Sequence, residues 1–384
     1  MVRKLDFCLK LEINHIRMKP NGIIRKILQI ALFFAGMYYS AFSVTGQSYT
    51  NAFLNTNFGA RQLGMGNAAT SNTFDLHAGF WNPAGLSQLE VPLQIGVMHH
   101  RWLDNQVTQN TFSLSARISS KNKSALSVNI LQSAANNIPN SRLLVAPEGN
   151  IDTERISAFS SADNAAMLSF GQHIGASGKW SWGTTAKILY RNPGSSAKAW
   201  GLGIEAGLLY RREKFSFALH ITDIISVNRW YFSLSEEEKR LIILSGNLIP
   251  LKKTEIVLPR SVFGGSYFYK SSKMNAVISA EIEISSTPDQ QAYFQTKTFQ
   301  FSPRLGVEIE FFKFVSIRSG IISVDRNIRP SLPEYGNMTI SPSAGFGVKL
   351  KRLKIDYGFT MSRYQDPSLQ THLISLKLDF KPKM

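Results

Sequence analysis

The sequence predicts an all-β fold class, a fourteen-stranded antiparallel transmembrane β-barrel preceded by an N-terminal hatch, or plug, segment. Three observations predict it. From Val91 onward, segments of about ten residues carry apolar side chains at every second position, which is the period of a β-strand. The number of these segments is even, and the connections between them alternate between short and long. This is the layout of an outer-membrane barrel.

The alternation is clearest from Phe215 to Ile221, where phenylalanine, leucine and isoleucine take one face and serine, alanine and histidine take the other. Residues 278–284 and 353–361 repeat this pattern. A period of two places the two sets of side chains on opposite faces of a strand. The fourteen predicted strands begin near residues 91, 109, 124, 163, 180, 199, 214, 259, 273, 303, 314, 341, 352 and 370.

The connections are sorted by length. Short ones follow the even-numbered strands, at residues 120–123, 175–179, 212–213, 271–272, 312–313 and 351–352. Large insertions follow odd-numbered strands, at residues 135–162, 225–258, 287–302 and 325–340. Short turns on one rim and long loops on the other are typical of outer-membrane barrels. A soluble sandwich of two long sheets is the alternative, although it has no reason to sort its loops in this way.

Charged residues within the predicted strands lie opposite the apolar stripe: Lys187, Glu205, Glu281, Glu283, Glu308, Glu310, Arg318, Lys354 and Asp356. A charge on the lipid face costs a few kcal/mol near the bilayer midplane, so this placement predicts a polar lumen. Two uses of the lumen remain open. The charges either pair with one another and hydrate the interior, or they line a selective conduit.

We expect a protein that is not an enzyme and that binds neither a cofactor nor a metal. Glutamates two residues apart share a strand face, but neither a third catalytic partner nor a sugar-binding aromatic cluster accompanies them. His99 and His100 are adjacent on a strand, so they face opposite ways and cannot chelate a metal together. The sequence also contains no G-x-S-x-G turn.

Residues 1–46 are predicted to be an N-terminal extension and a cleaved signal peptide. Met18 begins a basic stretch that is followed by the apolar run 27–35, which has about half of the roughly 20 residues that a spanning helix needs. We predict cleavage after Gly46, which makes Gln47 the mature N-terminus. The only cysteine, Cys8, precedes this point, so a disulfide and thiol chemistry are excluded from the mature chain.

Residues 47–90 form the predicted hatch, and residues 91–384 form the predicted barrel. Glycine is the residue that adopts a positive φ and permits close backbone approach at low cost, which predicts tight packing for this segment. Asn82 is predicted to cap a short helical turn that begins at Pro83. The predicted hatch motif consists of Gly59, Arg61, Gly64, Met65, Gly66, Trp81, Asn82, Pro83 and Gly85.

This motif, GxRxxGMG followed by WNPAG just before the first strand, resembles the outer-membrane family that includes PorV and PorQ of the type IX secretion system. The wider kin is FadL, the long-chain fatty acid transporter, which also carries an NPA turn in an N-terminal hatch. Residues 136–152 and the ending THLISLKLDF are also similar to that family. The resemblance implies location in the outer membrane of a Gram-negative cell, with both termini periplasmic after signal cleavage.

Three functions follow as hypotheses. The resemblance implies a non-enzymatic component of, or adaptor to, type IX protein secretion, which holds cargo or partner proteins at the cell surface. The second hypothesis is a FadL-like transporter of a hydrophobic small molecule, and the third is a structural barrel without a conduit. A transporter is expected to contain an apolar pocket that reaches from the mouth past the hatch, whereas an adaptor needs only a closed barrel and an apolar outer surface.

The loop at residues 233–250 contains a predicted helix, since Ser235 is placed to cap it and three glutamates fill its first turn. Its apolar residues form a candidate surface for a partner or ligand: Leu241, Ile242, Ile243 and Leu244. The chain is basic, with a formal net charge of +17, but its cations fall mainly beside the short turns. They do not form a nucleic-acid stripe, and we expect them to contact outer-membrane lipid headgroups or an acidic partner.

Overall fold

The computed structural model describes residues 51–102, 104–140, 150–151, 153–175, 177–194, 196–244, 246, 248–249, 252–286, 294–296, 299–329, 332–362 and 369–380. The predicted signal peptide, Cys8 and Gln47 lie outside these residues. The described part contains sixteen strands: β1 (Leu93–Trp102), β2 (Val107–Ser119), β3 (Ser124–Asn140), β4 (Ser157–Ile174), β5 (Trp180–Asn192), β6 (Ala197–Arg212), β7 (Phe215–Phe232), β8 (Lys252–Ile256), β9 (Arg260–Lys270), β10 (Met274–Ser285), β11 (Phe294–Gln295), β12 (Gln300–Phe311), β13 (Val315–Arg329), β14 (Leu332–Leu350), β15 (Leu353–Ser362) and β16 (Leu369–Phe380).

Fourteen of these strands close into an antiparallel barrel. Neighbours along the chain pair with each other, β10 pairs with β12, and β1 pairs with β16 to complete the ring. Two short strands lie off the ring path: β8 extends the pairing of β7, and β11 forms a small hairpin with β12. The predicted all-β class and fourteen-stranded antiparallel barrel are confirmed. All antiparallel barrels of this kind satisfy their backbone groups between strands, because no edge is left unpaired.

All four long loops were predicted too long, and two hairpins show this most clearly. Strand β4 begins at Ser157, within the predicted insertion 135–162, and β14 begins at Leu332, within the predicted insertion 325–340. In both hairpins the ladder of backbone hydrogen bonds continues past the apolar stretch of the strands. Hydrophobic alternation marks only the lipid-facing part of a strand, so it does not reveal where the ladder ends.

The two faces of the wall have inverted polarity relative to a soluble protein. In β5, for example, Ser181, Thr185 and Lys187 are buried, while Trp182 and Ile188 on the other face are exposed. The same inversion holds around the ring, where serine, threonine and asparagine point inward and apolar side chains point outward. The predicted polar lumen and lipid-facing stripe are therefore present.

Helices are few. Two short ones precede the barrel, α1 (Ala60–Gly64) and α2 (Ala78–Trp81), and α3 (Glu236–Leu244) lies between β7 and β8. Three 3-10 helices span Ala52–Leu54, Pro83–Gln88 and Thr153–Arg155. Among the described residues, no helix is long and apolar enough to cross a membrane.

Residues 51–92, called the N-terminal segment below, pack against inward-facing side chains of strands in both halves of the ring. Helix α1 contacts β13 to β16, and the 3-10 helix Pro83–Gln88 contacts β3 to β6. Nearly all residues from Phe58 to Leu89 are buried, including many polar ones. The interior of the barrel is thus filled by a preceding stretch of the same chain.

Candidate functional site

The NPAG turn is held by the side-chain amide of Asn82, which both donates and accepts a hydrogen bond. Asn82 caps the 3-10 helix that begins at Pro83, and its Oδ1 accepts a hydrogen bond from the Ala84 N–H at 3.0 Å. Its Nδ2 donates to the carbonyl oxygen of Leu208 in β6 at 3.1 Å. The cap that the sequence predicts is present, and the same side chain ties the turn to the barrel wall.

Three glycines in neighbouring strands lie beneath this turn. Gly171, Gly183 and Gly207 are direct cross-strand partners in β4, β5 and β6. A Cβ on Gly171 would lie 2.2 Å from the Pro83 oxygen, and a Cβ on Gly183 would lie 2.3 Å from the Pro83 carbonyl carbon. The backbone of the turn therefore rests directly on the backbone of the wall. We call this contact the NPAG seat.

A second glycine contact, the GMG seat, lies on the other side of the lumen. Gly64 and Gly66 flank the buried Met65 and meet Gly306, Gly320 and Gly345 of β12, β13 and β14. A Cβ on Gly320 would come within 2.3 Å of the Gly66 nitrogen. Gly66 also has a positive φ of 63°, and its N–H donates to Ser343 Oγ at 2.9 Å. Side chains larger than hydrogen do not fit at this contact.

Buried charges flank the GMG seat. Arg61 of the N-terminal segment bonds to Glu308 at 2.9 Å, and Glu308 also accepts from Arg318 at 2.5 Å. Arg318 in turn lies 2.8 Å from Asp356. The pKa of Arg61 is raised, because the attraction of Glu308 outweighs the opposing effect of burial. One predicted hatch residue and three predicted lumen residues thus form a single ion network.

A second ion pair joins the segment to β16. Asp75 accepts from Lys377 Nζ at 2.5 Å, and His77 lies 3.9 Å from the same carboxylate. Burial opposes ionisation of Asp75, but the charge of Lys377 outweighs it and holds the pKa of Asp75 below its usual range. His77 is fully enclosed, and burial lowers its pKa to about 4. At neutral pH this pair therefore contains a charged Asp75 and a neutral His77.

The remaining motif residues stabilise the fold of the segment itself. Trp81 Nε1 donates to the Phe58 carbonyl oxygen at 2.8 Å. Gly85 lies against Thr73, since a Cβ there would be 2.3 Å from the Thr73 oxygen. Gly59 precedes α1 with a positive φ of 86°. These contacts are internal to the segment and do not by themselves indicate a ligand.

A cavity of about 80 Å³ lies between the N-terminal segment and the wall. Its segment side combines four apolar residues, Leu54, Phe58, Phe80 and Trp81, with four polar ones, Asn55, Thr56, Asn67 and Thr70. Its wall side is mostly polar and is formed by Met167, Lys187, Glu205, His220, Thr222, Arg260, Val262, Glu283 and Arg304. The cavity is therefore amphipathic: an aromatic surface faces a charged one.

The charges of the cavity wall pair with one another. Lys187 lies 2.6 Å from Glu205 and 2.7 Å from Asp223. Glu283 lies between Arg260, at 3.1 Å, and Arg304, at 2.6 Å. Each cation thus has a carboxylate partner, so the wall can face an uncharged ligand without leaving a buried charge uncompensated.

Four further charged residues of the lumen were not predicted: Asp223, Arg260, Arg304 and Lys377. Asp223 lies in a register shift between β6 and β7 and has a positive φ of 55°, which breaks the alternation that identified the other charges. The other three do continue the inward face of their strands, and strict period-two counting from Glu283, Glu308 and Asp356 across the pairs could have found them.

The remaining predicted lumen charges also face inward. Thr70 Oγ1 donates to Glu281 at 3.0 Å, and Asn275 donates to Glu310 at 2.8 Å. His99 and His100 face opposite ways as predicted, with only His100 buried. Within the described ranges, no cluster of three potential metal-ligating side chains is present.

The candidate partner surface lies on α3. Ser235 and Glu238 form the predicted cap reciprocally, because each side chain bonds to the backbone N–H of the other, at 3.2 and 2.8 Å. Ile243 and Leu244 are 61% and 73% exposed, whereas Ile242 is half-buried. The side chain of Leu241 lies outside the described structure.

Solved structures with a similar barrel include two toluene transporters. TodX of P. putida matches with a TM-score of 0.57 and 13% identity over 85% of this chain and 99% of that chain. TbuX of Ralstonia pickettii matches with a TM-score of 0.52 and 13% identity over 84% and 98%. The CymD monoaromatic hydrocarbon channel matches with a TM-score of 0.53 and 13% identity over 84% of this chain and 97% of that chain. The barrel thus shares its fold with these solved outer-membrane barrels.

At this identity the likeness shows the fold alone. No family model matches the chain. No curated protein matches it by sequence. The comparisons do not support the resemblance to PorV and PorQ.

Proposed function

We propose that the protein is a non-enzymatic outer-membrane transporter that carries a hydrophobic small molecule through a FadL-type barrel. The observation that carries this proposal is the cavity inside the ring, with its aromatic side formed by Phe58, Phe80 and Trp81. Ligand sites are typically concave and mostly apolar, with a few placed polar groups. The solved barrels of similar fold include proteins described as toluene transporters and a monoaromatic hydrocarbon channel.

In this proposal the N-terminal segment is the hatch. The cavity lies on the long-loop side of the segment, because its wall residues include the first residues of β9 and the last residues of β10. Leu93 and Phe380 pair at the opposite, short-turn rim, where β1 begins and β16 ends. With short turns in the periplasm, the ligand reaches the cavity from the cell surface and meets the hatch below it.

A matched pair of substitutions on β4 tests the proposal. Met167 is buried and lines the cavity, whereas its neighbour Leu168 is 53% exposed on the outer face. Met167→Trp fills the cavity, and Leu168→Trp adds the same side chain to the lipid-facing surface. Uptake of labelled toluene and, separately, of a labelled long-chain fatty acid is measured in cells that express each form.

We expect uptake of at least one probe above that of cells without the protein, loss of this uptake in Met167→Trp, and no change in Leu168→Trp. Wild-type uptake equal to the background for both probes contradicts the proposal. Equal uptake by the wild type and Met167→Trp would contradict the role of the cavity.

The secretion adaptor is the second candidate, and exposure of Ile243 and Leu244 on α3 is the observation that favours it. Large exposed apolar side chains on a rim are suited to holding another protein. Affinity purification of a tagged wild type and of Ile243→Asp with Leu244→Asp tests it. Secretion components that copurify with the wild type and not with the double variant favour the adaptor, whereas identical partners in both samples count against it.

A further inference from the structure

Three inward-facing lysines lie side by side near the short-turn rim. Lys349 of β14 is the direct cross-strand partner of Lys354 in β15, which is also the direct partner of Lys377 in β16. Side chains placed directly opposite have Cβ atoms about 5 Å apart, and like charges at this spacing destabilise a sheet. A row of three lysines therefore needs nearby negative charge.

The described residues supply only part of that charge. Lys377 is paired with Asp75 at 2.5 Å and lies 3.7 Å from Asp356. Lys354 approaches Asp356 only to 4.0 Å, and the oxygen that it approaches already lies 2.8 Å from Arg318. The side chain of Lys354 is only 24% exposed, so water compensates its charge only in part.

A cavity of about 220 Å³ opens beside this row. Its lining contains more cations than carboxylates: Arg61, Lys349, Arg352, Lys354 and Lys377 against Asp75, Glu90 and Asp379. Asp75 is occupied by Lys377, and Asp379 accepts from the Gln94 amide at 2.8 Å. Arg61 is occupied by Glu308. The charges left to face the cavity are the three cations Lys349, Arg352 and Lys354 and one carboxylate, Glu90.

We propose that this cavity is an anion site that binds a phosphate group, with Lys354 at its base and Lys349 and Arg352 at its mouth. Lysine offers three donors, and the arginine fork matches two oxygens of a tetrahedral anion. A phosphate group, which carries more charge and more acceptor oxygens than a single carboxylate, can bridge the three cations. The site is separate from the transport cavity and does not depend on the proposed transport.

Two sources can deliver this group: free inorganic phosphate, or the headgroup of a phospholipid in the leaflet at the short-turn rim. The purified barrel in a neutral detergent distinguishes them. Its thermal unfolding midpoint is measured with inorganic phosphate and, separately, with a short-chain phosphatidylglycerol, each against an equal ionic strength of chloride. Binding constants follow from the concentration dependence of the shift.

Lys354→Met and Lys349→Met test the site. Each is expected to weaken binding about tenfold, the loss of one charge-assisted hydrogen bond. Lys270→Met is the matched control, because Lys270 is the last residue of β9 at the same rim and does not line the cavity. Since Lys349 is exposed, its substitution leaves the barrel intact even if Lys354→Met does not fold.

A shift with inorganic phosphate that both variants lose supports a free phosphate ligand. A shift with phosphatidylglycerol alone that both variants lose supports a lipid headgroup. The absence of a shift with either probe, or shifts that survive in Lys349→Met and in a folded Lys354→Met, overturns the proposal. Equal weakening by Lys270→Met also overturns it, because this result indicates only a general attraction of the basic rim for anions.

Discussion

The two seats of the N-terminal segment use the same backbone contact with different surroundings. At the NPAG seat, Gly171, Gly183 and Gly207 meet a turn whose polar groups are satisfied by neutral hydrogen bonds. At the GMG seat, similar close contacts are flanked by the ions Arg61 and Glu308. The first seat thus depends on shape and neutral hydrogen bonds, whereas the second depends on shape and charge. A steric change tests either seat, but of the two seats only the GMG seat has ions for a change of charge to remove.

The largest expected effect is steric. Gly183→Val places a Cβ 2.3 Å from the Pro83 carbonyl carbon, where backbone rather than a flexible side chain has to move. We expect the NPAG turn to leave its seat, at a cost of more than about 3 kcal/mol. Limited proteolysis of the segment in the purified barrel measures the release.

Gly265→Val on β9 is the control for this substitution. A Cβ at Gly265 meets only the Phe217 ring, at 3.5 Å, which is an ordinary contact. The segment is expected to stay protected in this variant. Equal protection in Gly183→Val would show that the close contact at the NPAG seat does not hold the segment.

Loss of a charge at the GMG seat comes next. Arg61→Met leaves Glu308 buried with Arg318 as its remaining partner, and we expect a cost of about 3 kcal/mol, at the lower end for breaking a buried ion pair. Chemical denaturation of the purified protein measures the cost. Lys239→Met removes the exposed pair of Lys239 with Glu236 and is expected to cost less than about 0.5 kcal/mol. Similar losses in both variants would contradict a special role for the buried network.

The pH dependence on the charged side centres on His77. Its pKa is lowered from 6.5 to about 4 by burial, so the unfolded segment binds a proton between these values that the folded segment does not bind. Because of this difference, the free energy of unfolding is highest above pH 6.5 and decreases by about 3 kcal/mol as the pH falls to 4. Asp75, with a pKa below 3.8, loses its contribution only at still lower pH.

Urea unfolding midpoints at pH 7, 5.5 and 4.5 measure this dependence. His77→Gln is expected to flatten the curve in this window, because glutamine does not titrate. An unchanged slope in His77→Gln would assign the pH dependence to other groups.

The smallest expected effect is the loss of the cap. Asn82→Ala combined with Pro83→Gly removes one capping bond and increases the chain entropy of the unfolded turn, at a cost of about 1 to 2 kcal/mol. If the segment is a hatch that gates transport, uptake of a hydrophobic solute changes in this variant. If uptake equals that of the wild type while stability falls as expected, the segment only stabilises the barrel wall.

The barrel could be predicted from the sequence because lipid imposes a period of two on every spanning strand, as from Phe215 to Ile221. The cap at Asn82 and the cap of α3 were also predictable, since both are local. The pairing of Arg61 with Glu308 was not, because 247 residues separate them and no local rule selects one lumen carboxylate over another. The same limit applies to the amphipathic cavity, whose two sides come from distant parts of the chain.

The contacts of the N-terminal segment also bear on assembly. The segment precedes β1 in the chain, yet it touches β3 to β6 on one side and β13 to β16 on the other. Its NPAG turn can dock as soon as the first six strands form a sheet, but Arg61 and Asp75 find their partners only after the last strands arrive. Closure of the ring between β1 and β16 and completion of the interior are therefore coupled steps. An incompletely closed barrel leaves these charges unpaired, which favours completion over release of an open sheet into the membrane.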